Sequence, residues 1–375
     1  MKAYREGTAK GLEGVPLRYT VYGEGDPAIV CCNGVGVGTF FWKYVVRHFS
    51  ESHRVLTWDY RDHGRSGKTP KISREKYTVG ANVHDLKAVL DHAGVKQAVF
   101  LGHSMGVQVI LEMWRRHPER VTGLGLVCGA FGRPLDTFWN SRLSAPIFDL
   151  VYAVVNTAPG AFKSGNKVLM QSSLPMAVAK MGVVDRKMCR PEDLQPYFDH
   201  LAVMDPQVFF LMAGEMQRHT AIKWLDKIDV PTMIIAGEND LFTPHHLSVQ
   251  MRDRIPGAEL LTIPRGSHAA LIEQPELLNL RLEKFLRERI MSAQQAARAA
   301  REESKGPAKT RRRKPVEEEP VRARSRRESA NDALEAAAAA IEPRVARASL
   351  PGPAARPKTT KKPRRSKNSR LRLVK

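Results

Sequence analysis

A serine stands at the apex of a glycine-flanked turn, Gly102-His103-Ser104-Met105-Gly106. The apolar residues 98–101 before it are typical of a buried strand, and a helical pattern begins near Val107. Glycines two residues on either side of the serine leave room for a strained strand-to-helix turn that lifts the hydroxyl clear of the backbone. Ser104 is therefore predicted to be a nucleophile.

A serine hydroxyl is a weak nucleophile at neutral pH and needs a histidine base that is itself held by a carboxylate. His268 lies in the loop after the last predicted strand, residues 259–263, and Asp240 lies after the strand before it, residues 232–236. The chain order Ser104, Asp240, His268 is the order expected when all three follow strands of one parallel sheet. They are predicted to be the catalytic nucleophile, acid and base.

Each assignment has a simpler structural alternative. Asp240 could be a turn or cap residue ahead of the helix that Pro244 opens, and His268 could be a polar residue at a helix start. His103 lies inside the serine turn, so its side chain can hardly swing round to act as base for its neighbour. The other candidates flank a glycine-rich turn or begin a helix, namely His63, His245 and His246. Three suitable residues at matching strand ends favour the catalytic interpretation.

Acyl chemistry also needs hydrogen-bond donors for a developing oxyanion. The segment Asn33-Gly34-Val35-Gly36-Val37-Gly38 follows a predicted strand beside the serine strand, and its glycines let backbone N–H groups turn toward a substrate. The backbone amides of Val35 and Met105 are the predicted donors. A dinucleotide-binding loop is the alternative, but its G-x-G-x-x-G spacing fails because position 39 is Thr.

Alternating apolar and amphipathic segments must position these residues. Strands are predicted at residues 17–22, 28–32, 55–58, 98–101, 124–127, 232–236 and 259–263. Helices are predicted at residues 40–49, 79–92, 107–117, 244–254 and 269–290. Repeated strand–helix units are typical of a parallel sheet covered on both faces, so an α/β fold with ligands at the carboxyl edge of the sheet is expected.

The strand–helix alternation stops between residues 131 and 220. This stretch has no clear strand and contains helical runs at residues 148–155, 168–181 and 208–216. An all-helical insert predicts a cap over the carboxyl edge, with residues 1–130 and 221–292 forming the core. Its apolar side chains are expected to line an acyl pocket, or else only to pack the cap onto the core. They include Met204, Phe209, Phe210, Met212 and Met216.

Residues 1 to about 290 resemble the α/β-hydrolase superfamily. The resemblance rests on the serine turn, on Gly237-Glu238-Asn239-Asp240 and on Gly266-Ser267-His268. It also rests on residues 59–66, Asp-Tyr-Arg-Asp-His-Gly-Arg-Ser, which are similar to the family's D-x-R-G-x-G-x-S turn. The resemblance implies an eight-stranded, mostly parallel sheet, a helical cap and a Ser-His-Asp triad.

Two positions depart from the family's pattern. Asn33-Gly34 stands where many members have His-Gly, and the Asn-led version is similar to that of the enol-lactone hydrolases. This change could alter the oxyanion geometry or the substrate. Asp62 replaces a glycine in a turn that is mostly architectural. Ser104 disfavours the branches with an aspartate nucleophile, which are the haloalkane dehalogenases and the epoxide hydrolases.

Positive charge is concentrated in the last fifth of the chain. Residues 301–375 carry 23 Lys and Arg against 9 Asp and Glu, which gives 14 of the net charge of +21. The Ala, Pro, Lys and Arg mixture cannot bury enough apolar surface to fold, so residues 293–375 are predicted to be a disordered basic tail. Such a tail binds nucleic acid or an anionic membrane weakly, carries an import signal, or only keeps the protein solvated.

Composition argues against a secreted, membrane-spanning, disulfide-bonded or metal-binding protein. The amino-terminal residues lack the apolar core of a secretory signal, and no window approaches the ~18 apolar residues that a membrane span needs. The cysteines have no metal-type spacing and are expected to be small buried residues in a reducing compartment. They are Cys31, Cys32, Cys128 and Cys189. A cytoplasmic protein without metal or cofactor is expected.

Three functions fit these observations. The first is a serine hydrolase that cleaves a small to medium, partly apolar ester, thioester or lactone through an acyl-enzyme. The second is an acyltransferase that uses the same triad, since the sequence does not set water access under the cap. The third is a polyanion-tethered protein whose fold is only a binding scaffold, which the set Ser104, Asp240 and His268 disfavours. The expected partner is a small acyl substrate, and the oligomeric state is left open.

Overall fold

The computed structural model describes residues 4–141, 143–180, 184–185 and 187–292. Within these residues the strands are Tyr4–Lys10 (β1), Pro16–Tyr22 (β2), Ile29–Cys32 (β3), Val55–Trp58 (β4), Ala98–His103 (β5), Val121–Val127 (β6), Thr232–Gly237 (β7) and Glu259–Ile263 (β8). They form one eight-stranded sheet in the order β1-β2-β4-β3-β5-β6-β7-β8. The β1–β2 and β2–β4 pairs are antiparallel and the other pairs are parallel. The predicted mostly parallel sheet is confirmed.

The helices of the described residues connect and cover these strands. They are Lys43–Phe49 (α1), Val79–Ala93 (α2), Met105–Arg116 (α3), Ser144–Thr157 (α4), Pro159–Gln171 (α5), Leu174–Ala179 (α6), Pro191–Val203 (α7), Pro206–Arg218 (α8), His245–Arg254 (α9), Ala270–Glu273 (α10) and Pro275–Phe285 (α11). A π-helical segment, Leu286–Met291, continues α11. Buried apolar side chains form two clusters, as expected for a sheet covered on both faces.

Several element boundaries differ from the sequence prediction. Strand β1 was not predicted, because its residues are mostly polar and exposed at the edge of the sheet. The helix predicted at 40–49 begins with a 3-10 turn, Thr39–Trp42, before α1. The helix predicted at 168–181 is broken after Gln171, and the one at 269–290 is broken before Pro275, because the residue ahead of a proline disfavours helical geometry.

Helices α4–α8 lie between β6 and β7 in the chain, where the all-helical insert is predicted. At the base of this insert, Gly132 and Thr220 form an isolated antiparallel bridge that brings its two ends together. Two of its side chains approach the loop after β3, since a Cβ built on Gly36 would lie 2.9 Å from atoms of both Leu201 and Phe209. The insert therefore contacts the loop at the carboxyl end of β3.

The turn after β4 is held by buried charged side chains. Asp59 accepts hydrogen bonds from the backbone amides of Thr39 and Arg65, and Arg61 forms a fully buried ion pair with Asp85 of α2. Asp62 has a left-handed φ of 63° at the position where the family has glycine. Its carboxylate accepts hydrogen bonds from Thr69 and Tyr77, which gives this aspartate a structural role.

Other sequence expectations concern single residue types and spans. All four cysteines are free and buried, and burial raises their thiol pKa values. Among the helices of the described ranges, none has the length and apolar character to span a bilayer. In the same ranges, no group of three His, Cys, Asp or Glu side chains is arranged to hold a metal ion. The basic tail predicted at residues 293–375 lies outside the described residues.

Candidate active site

Ser104 occupies a sharp turn between β5 and α3. Its backbone has φ 56° and ψ −118°, values that side-chain-bearing residues rarely adopt. The flanking glycines are sterically required, because a Cβ on Gly106 would lie 2.2 Å from the carbonyl oxygen of Cys32. A Cβ on Gly102 would lie 2.5 Å from the backbone of Gly106. The predicted strand–turn–helix context of the serine is therefore present.

The structure brings the three predicted residues together at the carboxyl edge of the sheet. His268 Nε2 lies 3.0 Å from Ser104 Oγ, which is hydrogen-bond distance. On the other side of the ring, His268 Nδ1 lies 2.9 Å and 3.1 Å from the two carboxylate oxygens of Asp240. One continuous hydrogen-bond chain thus joins the serine hydroxyl to a buried carboxylate.

Asp240 is held in place by the residues that follow it. Its carboxylate accepts hydrogen bonds from the backbone amides of Phe242 and Thr243 and from the Thr243 hydroxyl, at 2.8–2.9 Å. Burial alone raises the pKa of the Asp240 carboxyl, but the charge of His268 and these hydrogen bonds outweigh burial and hold that pKa below its ordinary value. Asp240 is therefore an ionised partner for the imidazole of His268. Besides accepting hydrogen bonds in its own turn, its carboxylate contacts His268 Nδ1.

Two neighbouring rings position His268. The ring of Phe242 stacks on the imidazole, with centroids 4.8 Å apart and planes inclined by 21°. His103 Nε2 donates a hydrogen bond of 2.9 Å to the backbone carbonyl of His268. Burial and the nearby His268 charge lower the pKa of His103 to about 3, so this histidine is neutral. As predicted, His103 is not placed to act as the base for Ser104.

The two predicted oxyanion donors lie beside the serine. Met105 is the first residue of α3, so its N–H has no acceptor within the helix. The Val35 N–H likewise has no hydrogen-bond acceptor among the residues that the structure describes. The loop that carries Val35 comes close to Ser104, since a Cβ built on Gly34 would lie 3.1 Å from Ser104 Cβ. Neither amide therefore has a protein hydrogen-bond acceptor among the described residues.

Asn33 anchors the start of this loop. Its side chain donates to the carbonyl of Trp58 and accepts from the indole N–H of Trp42, both at 2.8 Å. Its backbone carbonyl accepts a hydrogen bond from the hydroxyl of Tyr60. The Asn that departs from the family's common His is therefore fully used in holding the loop against β4, and its side chain is not available to a substrate.

His63 is a further site residue, which the sequence analysis considered only as an alternative base. Its Nε2 accepts a hydrogen bond of 3.2 Å from the N–H of Gly36, and its Nδ1 donates one of 2.9 Å to the carbonyl of Arg61. Burial and the neighbouring His200 lower its pKa to about 3. The position of His63 in the turn after β4 could have suggested a role at the site. Its partner Gly36 could not be predicted from the sequence, because the two residues come together only in the folded sheet.

An apolar cavity of about 250 Å³ lies inside the helical insert, next to the Gly36 loop. Its lining comes from α5, α7, α8 and the loop between the last two, and includes Phe162, Met170, Leu201, Met204, Phe209 and Phe210. Of the five apolar residues singled out from the sequence, Met204, Phe209 and Phe210 line this cavity. Met212 is instead fully buried in a core cluster, and Met216 packs against the same cluster.

A larger groove borders the same loop at Gly38. Its volume is about 1340 Å³, and charged side chains of α1 and α7 contribute much of its lining. None of Ser104, Asp240 or His268 lines this groove. The candidate active site is therefore identified by the hydrogen-bond chain and not by the largest groove.

Comparison with known proteins gives one consistent family. A family model described as alpha/beta hydrolase fold matches residues 27–275. A carbamate hydrolase by name, RutD of Variovorax paradoxus, is 26% identical over 275 residues, covering 72% of this chain and 96% of its own. A structure of Est816, described as an N-acyl homoserine lactone degrading enzyme, has a TM-score of 0.59 at 27% identity and covers 74% of this chain and 100% of its own. The enol-lactonase of Burkholderia xenovorans LB400 has a TM-score of 0.63 at 23% identity, with 75% and 100% covered.

Proposed function

The chain belongs to the α/β hydrolase fold family, and from this premise we propose that it is a serine hydrolase of carboxylic esters, thioesters or lactones. The observation that carries the proposal is the hydrogen-bond chain from Ser104 Oγ through both ring nitrogens of His268 to Asp240. A hydroxyl, an imidazole and a buried carboxylate in this order are the parts of a serine nucleophile and its base.

The proposed reaction has two halves. Ser104 Oγ attacks the substrate carbonyl carbon while its proton passes to His268 Nε2, and Asp240 stabilises the imidazolium through Nδ1–H. The tetrahedral intermediate collapses as His268 returns the proton to the leaving oxygen or sulfur, which leaves an acyl-enzyme on Ser104. Water then attacks the acyl carbonyl with His268 as base, and the acid product and the free serine are released.

The negative charge on the intermediate's oxygen is assigned to the Val35 and Met105 amides. Neither N–H group has a protein acceptor among the described residues, and the Val35 loop comes close to Ser104 at Gly34. Met105 also stands at the positive end of α3. Donors that are already oriented need no reorganisation as the charge develops, and this is usually a large share of catalysis. Their rigidity comes from Asn33 and His63, which hold the loop from both ends.

The apolar cavity supports an acyl group that is at least partly hydrocarbon. Phe209 and Leu201 stand between this cavity and Gly36, one residue from the proposed donor Val35. The lactone-degrading neighbour Est816 supports a lactone as substrate, and the carbamate hydrolase among the relatives favours a carbamate as a second candidate. We assign the acyl chain to the cavity and residues 131–220 to a cap domain.

Covalent labelling tests the nucleophile. A fluorophosphonate probe is expected to label the full chain at Ser104 and to leave Ser104→Ala unlabelled, because the probe requires an activated serine hydroxyl. Ser172→Ala removes an exposed serine of the insert and serves as the matched control, which should label like the natural chain. A folded protein that takes up no probe, beside a hydrolase that does, would overturn the proposal.

Turnover tests the reaction class. The p-nitrophenyl esters of increasing acyl length, a simple lactone and an aryl carbamate are offered in turn, with and without an added alcohol acceptor. Hydrolysis of the ester series supports the proposal. Faster consumption with the alcohol, and an alkyl ester as the main product, would instead identify an acyltransferase with the same active site.

A further inference from the structure

Exposed apolar side chains are concentrated in the helical insert. The described residues contain twelve large apolar side chains that are exposed, and ten of them lie between Trp139 and Val203. Four form a stripe along α4 and the residue that caps its start, namely Leu143, Ile147, Leu150 and Val154, which are 52–66% exposed. We call these four residues the α4 stripe. Four more lie on the next two helices, namely Val168, Leu169, Leu174 and Val178.

The α4 stripe is a regular feature of the helix. Its residues are spaced by four, three and four positions, so at 3.6 residues per turn they fall on one line along the helix surface. The single charged residue of α4, Asp149, lies roughly 130° around the helix from the centre of that line. Another side of α4 packs inward, where Val155, roughly 110° around the helix from the centre of that line, is fully buried. The helix thus has two apolar sides, and only one is covered.

The charges near α4 indicate what kind of surface would cover the α4 stripe. Residues 143–180 contain three lysines, Lys163, Lys167 and Lys180, and only one acidic residue, Asp149. The chain as a whole has a net charge of +21. Two copies of so basic a chain repel each other, whereas an anionic surface attracts each of them. Helices that lie in the plane of a bilayer surface combine an apolar face with nearby basic residues. Here α4 supplies the apolar face and has no lysine or arginine, and the three lysines lie on α5 and at the end of α6.

We propose that the α4 stripe docks into the headgroup region of an anionic lipid bilayer, with α4 parallel to the surface. The stripe supplies apolar burial, and the basic residues of the chain, 23 of them in residues 301–375, supply attraction to acidic headgroups. The inner side of α4 leads toward the apolar cavity, because the ring of Phe148 lies 5.5 Å from that of Phe210, which lines it. Docking would therefore hold the cavity close to a source of apolar molecules.

Vesicle flotation with the full chain tests this docking. Vesicles of equal parts phosphatidylcholine and phosphatidylglycerol are compared with vesicles of phosphatidylcholine alone. The natural chain is expected to float with the mixed vesicles and to bind the neutral ones at least tenfold less. The double variant Ile147→Ser, Leu150→Ser is expected to bind the mixed vesicles about tenfold or more weakly, because it removes two apolar side chains from the stripe. Leu280→Ser, which changes a residue 60% exposed on α11, is the matched control and should bind like the natural chain.

Three results would overturn the proposal. Equal binding of the double variant and the natural chain would show that basic residues alone bind the vesicles. Equal binding of the natural chain to neutral and anionic vesicles would remove the role of charge. The natural chain could also sediment as a dimer and bind no vesicles, while the double variant sediments as a monomer. That result would make the stripe an interface between two copies. Fluorophosphonate labelling and thermal unfolding of the double variant show separately that the site and the fold are intact.

Discussion

At the scale of single residues, His63 shows how a neutral histidine can serve a site without touching the reacting atoms. Both of its ring nitrogens are bonded, one as donor to Arg61 and one as acceptor from Gly36, so its tautomer is fixed. With a pKa lowered to about 3 by burial and by His200, it keeps its acceptor nitrogen throughout the ordinary pH range. The loop that carries Val35 is thereby held at constant geometry.

Replacing this acceptor should weaken catalysis more than substrate binding. His63→Phe keeps an aromatic ring of similar size but leaves the Gly36 N–H without its partner, and a lost buried hydrogen bond costs about 1 kcal/mol. We expect kcat for an ester substrate to fall by roughly five- to tenfold, with KM little changed. His246→Phe alters an exposed histidine and is the control. An unchanged kcat in His63→Phe would show that the loop needs no such support.

The sequence allowed prediction of those site residues whose reactive side chain lies in a turn directly after a predicted strand. Ser104, Asp240 and His268 each follow a predicted strand, and parallel strands bring their carboxyl ends to one edge, so their meeting could be predicted. Their catalytic role remains a proposal. The partners of Asn33 and His63 could not be predicted, because Trp58 and Gly36 are 25 and 27 residues away and come close only through the order of β3 and β4 in the sheet.

At the scale of elements, α8 and the chain before it set the shape of the apolar cavity. Phe209 faces the Gly36 loop, and Phe210 lies against Phe148 of α4. The cavity is small, at about 250 Å³, so one enlarged side chain should shorten the acyl group that fits.

A chain-length series tests this assignment. In Phe210→Trp we expect kcat/KM for p-nitrophenyl octanoate to fall about tenfold or more relative to the acetate ester, since one lost methylene contact in an apolar pocket is worth about 1–3 kcal/mol, or about ten- to two-hundredfold. Leu280→Trp places the same indole at an exposed site and should leave the ratio unchanged. A ratio that does not move in Phe210→Trp would place the acyl chain outside the cavity.

Strands and helices with a strong apolar pattern could be predicted from the sequence. The exposed edge strand and the interrupted helices could not be predicted as well. The central strands β3, β4 and β5 are buried along their whole length and give continuous apolar runs. Strand β1 is exposed over half its length and offers no such pattern. The α5–α6 and α10–α11 breaks depend on Ser and Pro residues inside otherwise apolar helical runs, which periodicity alone overlooks.

At the scale of the whole molecule, buried neutral histidines couple stability to pH. Burial lowers the pKa values of His63 and His103 to about 3 and of His200 to about 4, from 6.5 in the unfolded chain. Below pH 6.5 the unfolded state therefore binds protons that the folded state does not. Their contribution to stability is fully present above pH 6.5 and is lost as the pH falls toward 4.

Urea unfolding between pH 7 and pH 4 measures this coupling. Each of the three histidines is expected to lower the free energy of unfolding by up to about 1.4 kcal/mol per pH unit below 6.5. His63→Phe should make the slope shallower by up to about 1.4 kcal/mol per pH unit, whereas His246→Phe should leave it unchanged. A free energy of unfolding that stays constant over this range would mean that these rings are protonated in the folded state.

The backbone of Ser104 also bears on how the protein could evolve. At φ 56° the position suits glycine, so any side chain there opposes folding. We expect Ser104→Gly to be more stable to urea than Ser104→Ala by roughly 1 kcal/mol, the reverse of the usual order of these two residues. Equal stability would mean that the turn is relaxed. With Ser104 as the proposed nucleophile, selection for stability and selection for activity oppose each other at this position. A homologue that no longer needed the activity would gain stability from glycine there.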